Sequence, residues 1–304
     1  MKTNFSTKDI RAIRHNRVTH DRIARNYDTN HIEIYNPIEQ KRISQSLQKA
    51  INLIETDSEG VRALDYGAGT GNITNHLLNC GFHVVAADVS SVSLEQVAAK
   101  LGQADRLQTD TVNGADLSNY RENTFDLVAT YSVLHHVPDY PAIIDEFARV
   151  LKPGGVMYLD HEACPSYWEF SKVYRSYLEE LGDPFLRDYL LTLDLPDDRK
   201  GHVANLVTRL KKALATGKLT GAVLRGLALI HDEGDIHVTK DDHILWEDIK
   251  SRLRPSCQLL LEEDYLICRE RTDPAQVWAK WRDKAVDMRM LVARKAAVPA
   301  GRRS

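Results

Sequence analysis

The spacing of apolar positions changes several times along the chain, and each change marks an element. Residues 38–54, IEQKRISQSLQKAINLI, place Ile43, Leu47, Ala50, Ile51 and Ile54 on one helical face. The turn-forming DSEG at 57–60 ends that run. Short apolar runs then alternate with helical ones. VRALDYG (61–67) reads as a strand, and NITNHLLNC (72–80) as a helix closed by Gly81. HVVAADVS (83–90) is a strand and SLEQVAAKLG (93–102) a helix. FDLVATYSVL (125–134) begins as a strand. PAIIDEFARVL (141–151) is a helix opened by Pro141 and stopped by Pro153, and GGVMYLDHE (154–162) is a strand. Strands and helices alternating at these lengths predict right-handed βαβ units and a parallel sheet.

After Glu162 the strand signal fades. Residues 167–181 and 204–229 have helical spacing, with Pro184 and Pro196 between them. The α/β texture returns with a helix at ILWEDIKSRL (244–253), a strand at CQLLLEEDYLI (257–267), a helix at PAQVWAKWRDKAV (274–286) and a strand at DMRMLVARKA (287–296). Residues 1–25 carry Lys8, Arg11, Arg14, Arg17, Arg22 and Arg25 around Ile10, Ile13 and Ile23. They form a helical arm, serving as a solvated face, a contact for an acidic partner or a lid.

Composition narrows the class. The 304 residues are 43% hydrophobic and 27% charged, an ordinary globular balance. The net charge of -3 speaks against nucleic acid as the main partner. Cys80, Cys164, Cys257 and Cys268 form no C-x-x-C pair, so neither a disulfide framework nor a zinc knuckle is expected. The first residues lack the apolar core of a secretory signal, and no apolar run is long enough to span a bilayer. A cytoplasmic protein is expected.

The candidate chemistry begins at LDYGAGTG (64–71). Gly67, Gly69 and Gly71 follow a strand and open a helix, where bare backbone and a helix N-terminus can meet a ligand. The dinucleotide fingerprint G-x-G-x-x-G fails at Asn72. Asp88 ends the second strand, where a carboxylate can accept two ribose hydroxyls; a turn-capping role is its alternative. Histidines follow the fourth and fifth strands. His135 and His136 stand after the fourth, and His161 and Glu162 after the fifth. As general bases they would serve acceptors that must lose a proton, and Asp160 and Glu162 would raise the basicity of His161. Each also reads as a packing or capping residue. His231, Asp232, Glu233, His237, Asp241, Asp242 and His243 crowd together and could bind a divalent metal through imidazole and carboxylates, though they meet no fixed ligand spacing. The DDH there also reads as the N-cap of the next helix, with His237 and His243 as second-tier bases. No residue is assigned to a metal.

Taken in order, LDYGAGTG (64–71), VVAADVS (84–90), ENTFDLVATYSVLHHV (122–137) and RVLKPGGVMYL (149–159) resemble the class I S-adenosylmethionine-dependent methyltransferases of the small-molecule type. The resemblance covers residues 61–160, and DMRMLVARKA matches the family's last strand. It implies an α/β, Rossmann-like doubly wound seven-stranded sheet with an antiparallel last strand, to which this chain adds a helical cap insertion. The corresponding divisions are an arm (1–55), a cofactor-binding core (56–162), the cap (163–235), the completion of the sheet (236–297) and a flexible tail (298–304).

The resemblance also implies site roles. Asp65 and the backbone of Gly67, Ala68, Gly69 and Gly71 would hold the amino-acid end of S-adenosyl-L-methionine. Asp88 would hold its ribose and Val89 its adenine. The expected Gly-Asp-Ala after the third strand reads Asn113-Gly114-Ala115, with the acid displaced to Asp116, so Ala115 and Asp116 are the adenine candidates beside Asn113. Tyr131 and Ser132 would line the transfer site and Tyr27 would close over the cofactor. His161, His135 and Glu162 are the catalytic candidates. The acceptor is a small molecule, a quinone, phenol, sugar or lipid-like compound. The cap bears on its selection, an amphipathic packing helix, a lipid tunnel or a homodimer surface being alternative uses. Non-catalytic cofactor binding and a nicotinamide oxidoreductase are the competing functions.

Overall fold

A computed structural model describes residues 6–56, 60–102, 105–169, 171–181, 235–239, 241–268 and 276–297. Seven strands form one sheet in the order β3-β2-β1-β4-β5-β9-β8. They are β1 (Arg62–Tyr66), β2 (His83–Asp88), β3 (Leu107–Thr111), β4 (Phe125–Tyr131), β5 (Leu151–Ala163), β8 (Cys257–Tyr265) and β9 (Met288–Lys295). The first five run parallel, and β9 is antiparallel to both β5 and β8. β6 (Val238–Thr239) and β7 (Asp242–His243) make a separate antiparallel ribbon.

The sheet is covered on both faces, which is why its inner strands carry near-continuous apolar runs. Every residue of β4 is buried. Strand side chains alternate between the two layers. Leu64, Tyr66, Val85, Val128 and Met157 join one core with the helices α7 (Tyr140–Val150) and α10 (Trp246–Leu253). Ala63, Val84, Leu127 and Tyr158 join the other, with α4 (Pro37–Ile51) and α5 (Asn72–Asn79). α6 (Ser91–Leu101) places Leu94 and Val97 against Ala86.

β3 has no counterpart in the apolar pattern. LQTDT lies on the sheet edge with its residues exposed or half-buried, so burial places little demand on its side chains. The arm begins with α1 (Thr7–Ile23), opened by a capping box in which Ser6 and Asp9 each accept from the other's backbone N–H. Short helices α2 (Tyr27–Asn30) and α3 (Ile32–Tyr35) carry it to α4. Ser90 donates to Asp21 at 2.6 Å and Thr70 to Asp28 at 2.5 Å, and Lys100 pairs with Asp28. The arm is thereby tied to the core.

Three expectations change. β5 continues to Ala163, into the span assigned to the cap, and the helix expected over 167–181 is two, α8 (Pro165–Glu169) and α9 (Lys172–Leu181). α9 buries Tyr174, Tyr177 and Leu178 against Leu266 and Ala285, with Trp278 of α11 (Gln276–Trp281) packed alongside. Asp242 and His243 pair with β6 instead of capping the next helix, whose N-cap is Leu245. The helix expected over 204–229, the residues His231, Asp232 and Glu233, and the tail 298–304 lie outside the described residues.

Candidate functional site

A cleft with about 940 Å³ of empty space, its open mouth included, lies at the carboxyl ends of β1, β2 and β4. This is where an open parallel sheet binds ligands, because the strand order reverses there. β1 delivers Asp65, β2 delivers Asp88 and Val89, and β4 delivers Tyr131 and Ser132. The turn Gly67–Thr70 forms one wall, with Val112 and Gly114 on the adjoining side. The arm closes over them with Ile13, Asn16, His20, Tyr27 and Tyr35.

The glycines serve different neighbours. A Cβ on Gly67 would stand 2.4 Å from Val133 Cγ2, so the close approach there is to the protein itself. A Cβ on Gly69 would meet nothing within 4 Å. That position is open, at a φ of +51° that suits glycine. The Gly69 N–H donates to Asp88 Oδ2 at 2.8 Å, and the N–H groups of Gly67 and Ala68 donate to the Ala87 carbonyl. Gly71 backs onto Val97 and Leu101 of α6 and does not line the cleft.

Two acids face the cavity from buried positions. Asp65 accepts from the Thr74 hydroxyl at 2.6 Å, and burial pushes its carboxyl up to about 7 despite that bond. Asp88 accepts from Ser90 N–H at 2.8 Å as well as from Gly69. Burial raises it, and the two backbone donors oppose the shift. A buried acid pair beside a bare-backbone turn suits a ligand with a cationic end and a diol. Val89, Val112 and Ile13 give the same cleft an apolar flank for a flat ring.

Sequence and structure part company over the histidines. His161 does not line the cleft. It is buried behind Tyr131, stacked at 4.5 Å between ring centres, with Nδ1 3.2 Å from the Tyr265 hydroxyl. Tyr131 itself donates to Glu39 at 3.0 Å. His135 turns away from the cleft and holds Glu162 through Nδ1 at 2.8 Å. Glu162 in turn accepts the N–H groups of Val133 and Leu134. The two therefore fix the turn after β4. His136 is the histidine of the pair that faces the cavity, edge-on to His20 at 5.0 Å.

On the adenine side, Ala115 and Asp116 stay off the cleft wall and Gly114 takes their place. Asn113 accepts from the N–H groups of Ala115 and Asp116, and its amide donates to Asp116 at 3.0 Å. The displaced acid is thus part of the turn. Of the 231–243 cluster, the described residues stay partly together. His237 reaches Asp242 and the Val137 carbonyl, and His243 stacks on Trp168. Asn16, His20, Tyr35 and Thr70 line the cleft and were missed. No local pattern separates them from other polar helix or turn residues, because their role depends on how the arm folds back.

Residues 64–159 match the family model described as a methyltransferase domain. The chain is 32% identical over 145 residues to a ubiquinone biosynthesis O-methyltransferase from Xanthomonas oryzae pv. oryzae (strain PXO99A), a match covering 46% of this chain and 60% of that protein. It is 32% identical over 161 residues to a demethylmenaquinone methyltransferase from Corynebacterium urealyticum, covering 52% and 64%. The chain thus spans about three-fifths of the length of these curated relatives. A solved chain from the complex of the Haloferax volcanii Trm112 methyltransferase activator shares the fold, with a TM-score of 0.52 at 13% identity, covering 91% of this chain and 97% of that one.

Proposed function

We propose that this chain, whose residues 64–159 match a methyltransferase domain, carries out S-adenosylmethionine-dependent methyl transfer to a small-molecule acceptor. One observation carries the reading. Asp65 and Asp88, both buried, converge with the open face of Gly69 on a single cleft. Asp65 meets the cofactor's ammonium, Asp88 its ribose diol, and Val89, Val112 and Ile13 its adenine. When bound, the cofactor supplies a methyl group activated by a sulfonium.

The protein's own part is to bind, align and exclude water. Alignment alone can account for about 7–11 kcal/mol of a displacement barrier. The arm excludes water by closing over the cleft through Asn16, His20 and Tyr27. An oxygen acceptor must also lose a proton. His20 and His136 line the cleft and can receive it, whereas His161 and His135 do not reach the cavity. The relatives' names support a quinone or its phenolic precursor as the acceptor. The four free cysteines support a reducing, cytoplasmic setting.

Calorimetric titration tests the cofactor. S-adenosylmethionine should bind with a Kd in the micromolar range, Asp88→Ala should abolish the binding, and NAD should give no heat. Preference for NAD, or no binding to the wild type, would sink the proposal.

A further inference from the structure

We propose that His135, His136 and Asp235 form a binding site for one divalent transition-metal ion at the edge of the cleft. Each offers one ligand atom, and the three atoms lie within 4.8 Å of one another. Asp235 Oδ1 stands 3.2 Å from His136 Nδ1 and 3.8 Å from His135 Nε2. Ligands held about 2.1 Å from a metal lie roughly 3 Å apart when adjacent, so small side-chain movements admit an ion. Two imidazoles and one carboxylate favour zinc, cobalt, manganese or iron over magnesium, which takes oxygen ligands.

The surroundings support ligation. Metal-binding histidines usually donate their second ring N–H to a carboxylate, which fixes the tautomer. Glu162 fills that place at 2.8 Å from His135 Nδ1. Its other oxygen accepts two backbone N–H groups, and in the tautomer that ligation requires, His135 Nδ1 donates to Glu162. The lone pair then sits on Nε2, the atom on the Asp235 side. The acid is also held in place. The N–H groups of Ile236 and His237 both donate to the His135 carbonyl, at 2.9 and 3.0 Å. Residue 235 is thereby brought back to the turn that bears the histidines.

Three protein ligands leave coordination positions for water or an oxygen of a bound molecule. His136 lines the cleft, so such an oxygen would belong to a molecule occupying it. With His136 engaged by the ion, His20 remains as the imidazole facing the cavity. The ion site itself does not depend on methyl transfer, and its test needs no turnover.

The test is a spectroscopic titration of the full chain with cobalt(II) after treatment with a chelator. Wild-type protein should take up one equivalent, giving visible d–d bands that zinc abolishes and magnesium leaves in place. Asp235→Asn removes a charged ligand at an exposed position and should weaken binding by about tenfold or more. Glu162→Gln touches no ion. Its amide would donate to His135 Nδ1, move the imidazole proton to Nε2 and weaken binding by about 10- to 100-fold. Far-UV circular dichroism checks that both variants fold. Absence of d–d bands at millimolar cobalt would overturn the site. So would bands that persist unchanged in Asp235→Asn and His136→Asn, because the ion would then sit elsewhere.

Discussion

Arg42 Nη2 lies 2.8 Å from Asp160 Oδ2, joining α4 to the carboxyl end of β5. The same guanidinium grips Glu39 through Nε and Nη2, and its plane covers the Tyr265 ring at 3.7 Å. Asp160 also accepts from Tyr265 at 2.9 Å and from Tyr158. Two buried carboxylates therefore share one cation beneath Tyr131. Replacing one partner of such a cluster leaves the others buried without compensation. Arg42→Met should destabilise the chain by about 3–5 kcal/mol. Urea denaturation measures this. A loss under 1 kcal/mol would mean that the tyrosine hydroxyls alone suffice.

Asp65 should make stability depend on pH in an unusual direction. Its folded-state carboxyl is raised to about 7, so the folded chain keeps that proton longer than the unfolded chain does. The stability this contributes is complete below about pH 4 and is lost as pH rises through about 7. Roughly three pH units at about 1.4 kcal/mol each give a loss near 4 kcal/mol. Asp65→Asn keeps a partner for Thr74 and removes the titration. Denaturation at pH 4.5 and 7.5 should show the wild type losing ground against the variant. Parallel behaviour would show that Asp65 is ionised throughout.

Gly67→Ala should destabilise for two separable reasons. The φ of +72° costs a Cβ about 1–2 kcal/mol, and the contact with Val133 adds an overpacking cost of about 1–3 kcal/mol. Adding Val133→Ala removes the two Cγ contacts and so relieves most of the second cost and none of the first, since the Cβ of residue 133 stays 3.0 Å away. The double variant should thus be more stable than the sum of the two single effects, as thermal melts would reveal. Strict additivity would mean the turn moves away from Val133.

The sheet was legible because burial on both faces imposes apolar runs, as at 84–87 and 127–129, and because helices between parallel strands must cover those faces. β3 was not legible, since an edge strand as polar as LQTDT gives no such signal. The cleft's acids, Asp65 and Asp88, could be read from their places at strand ends. The histidines could not be sorted that way. His135 and His136 are adjacent, yet one reaches back to Glu162 and the other faces the cavity, a difference set by the turn at 134–136. His161 sits at a strand end like Asp65 but has a φ of +66° and packs behind Tyr131.

The arm's hold on the core rests on a small polar latch. Asp28 accepts from Thr70 at 2.5 Å and pairs with Lys100, while Tyr35 reaches the same Thr70 hydroxyl at 2.9 Å. Burial pushes the Asp28 carboxyl up, but the contacts with Lys100 and Thr70 outweigh it and leave it below its usual range. A lowered carboxyl contributes stability above its unfolded value near 4 and loses it as pH falls further. The latch should therefore hold at neutral pH and release in acid. The Lys100 pair is half-exposed and should also weaken in high salt. Asp28→Asn removes the charge but keeps the shape. Hydrogen exchange should quicken across residues 7–23 in that variant while residues 125–131 keep the wild-type rate, because the arm opens without unfolding the sheet. If the arm serves as a lid, the same variant should bind S-adenosylmethionine several-fold more weakly in calorimetry. Unchanged exchange over 7–23 would show instead that the Ser90–Asp21 bond alone secures the arm.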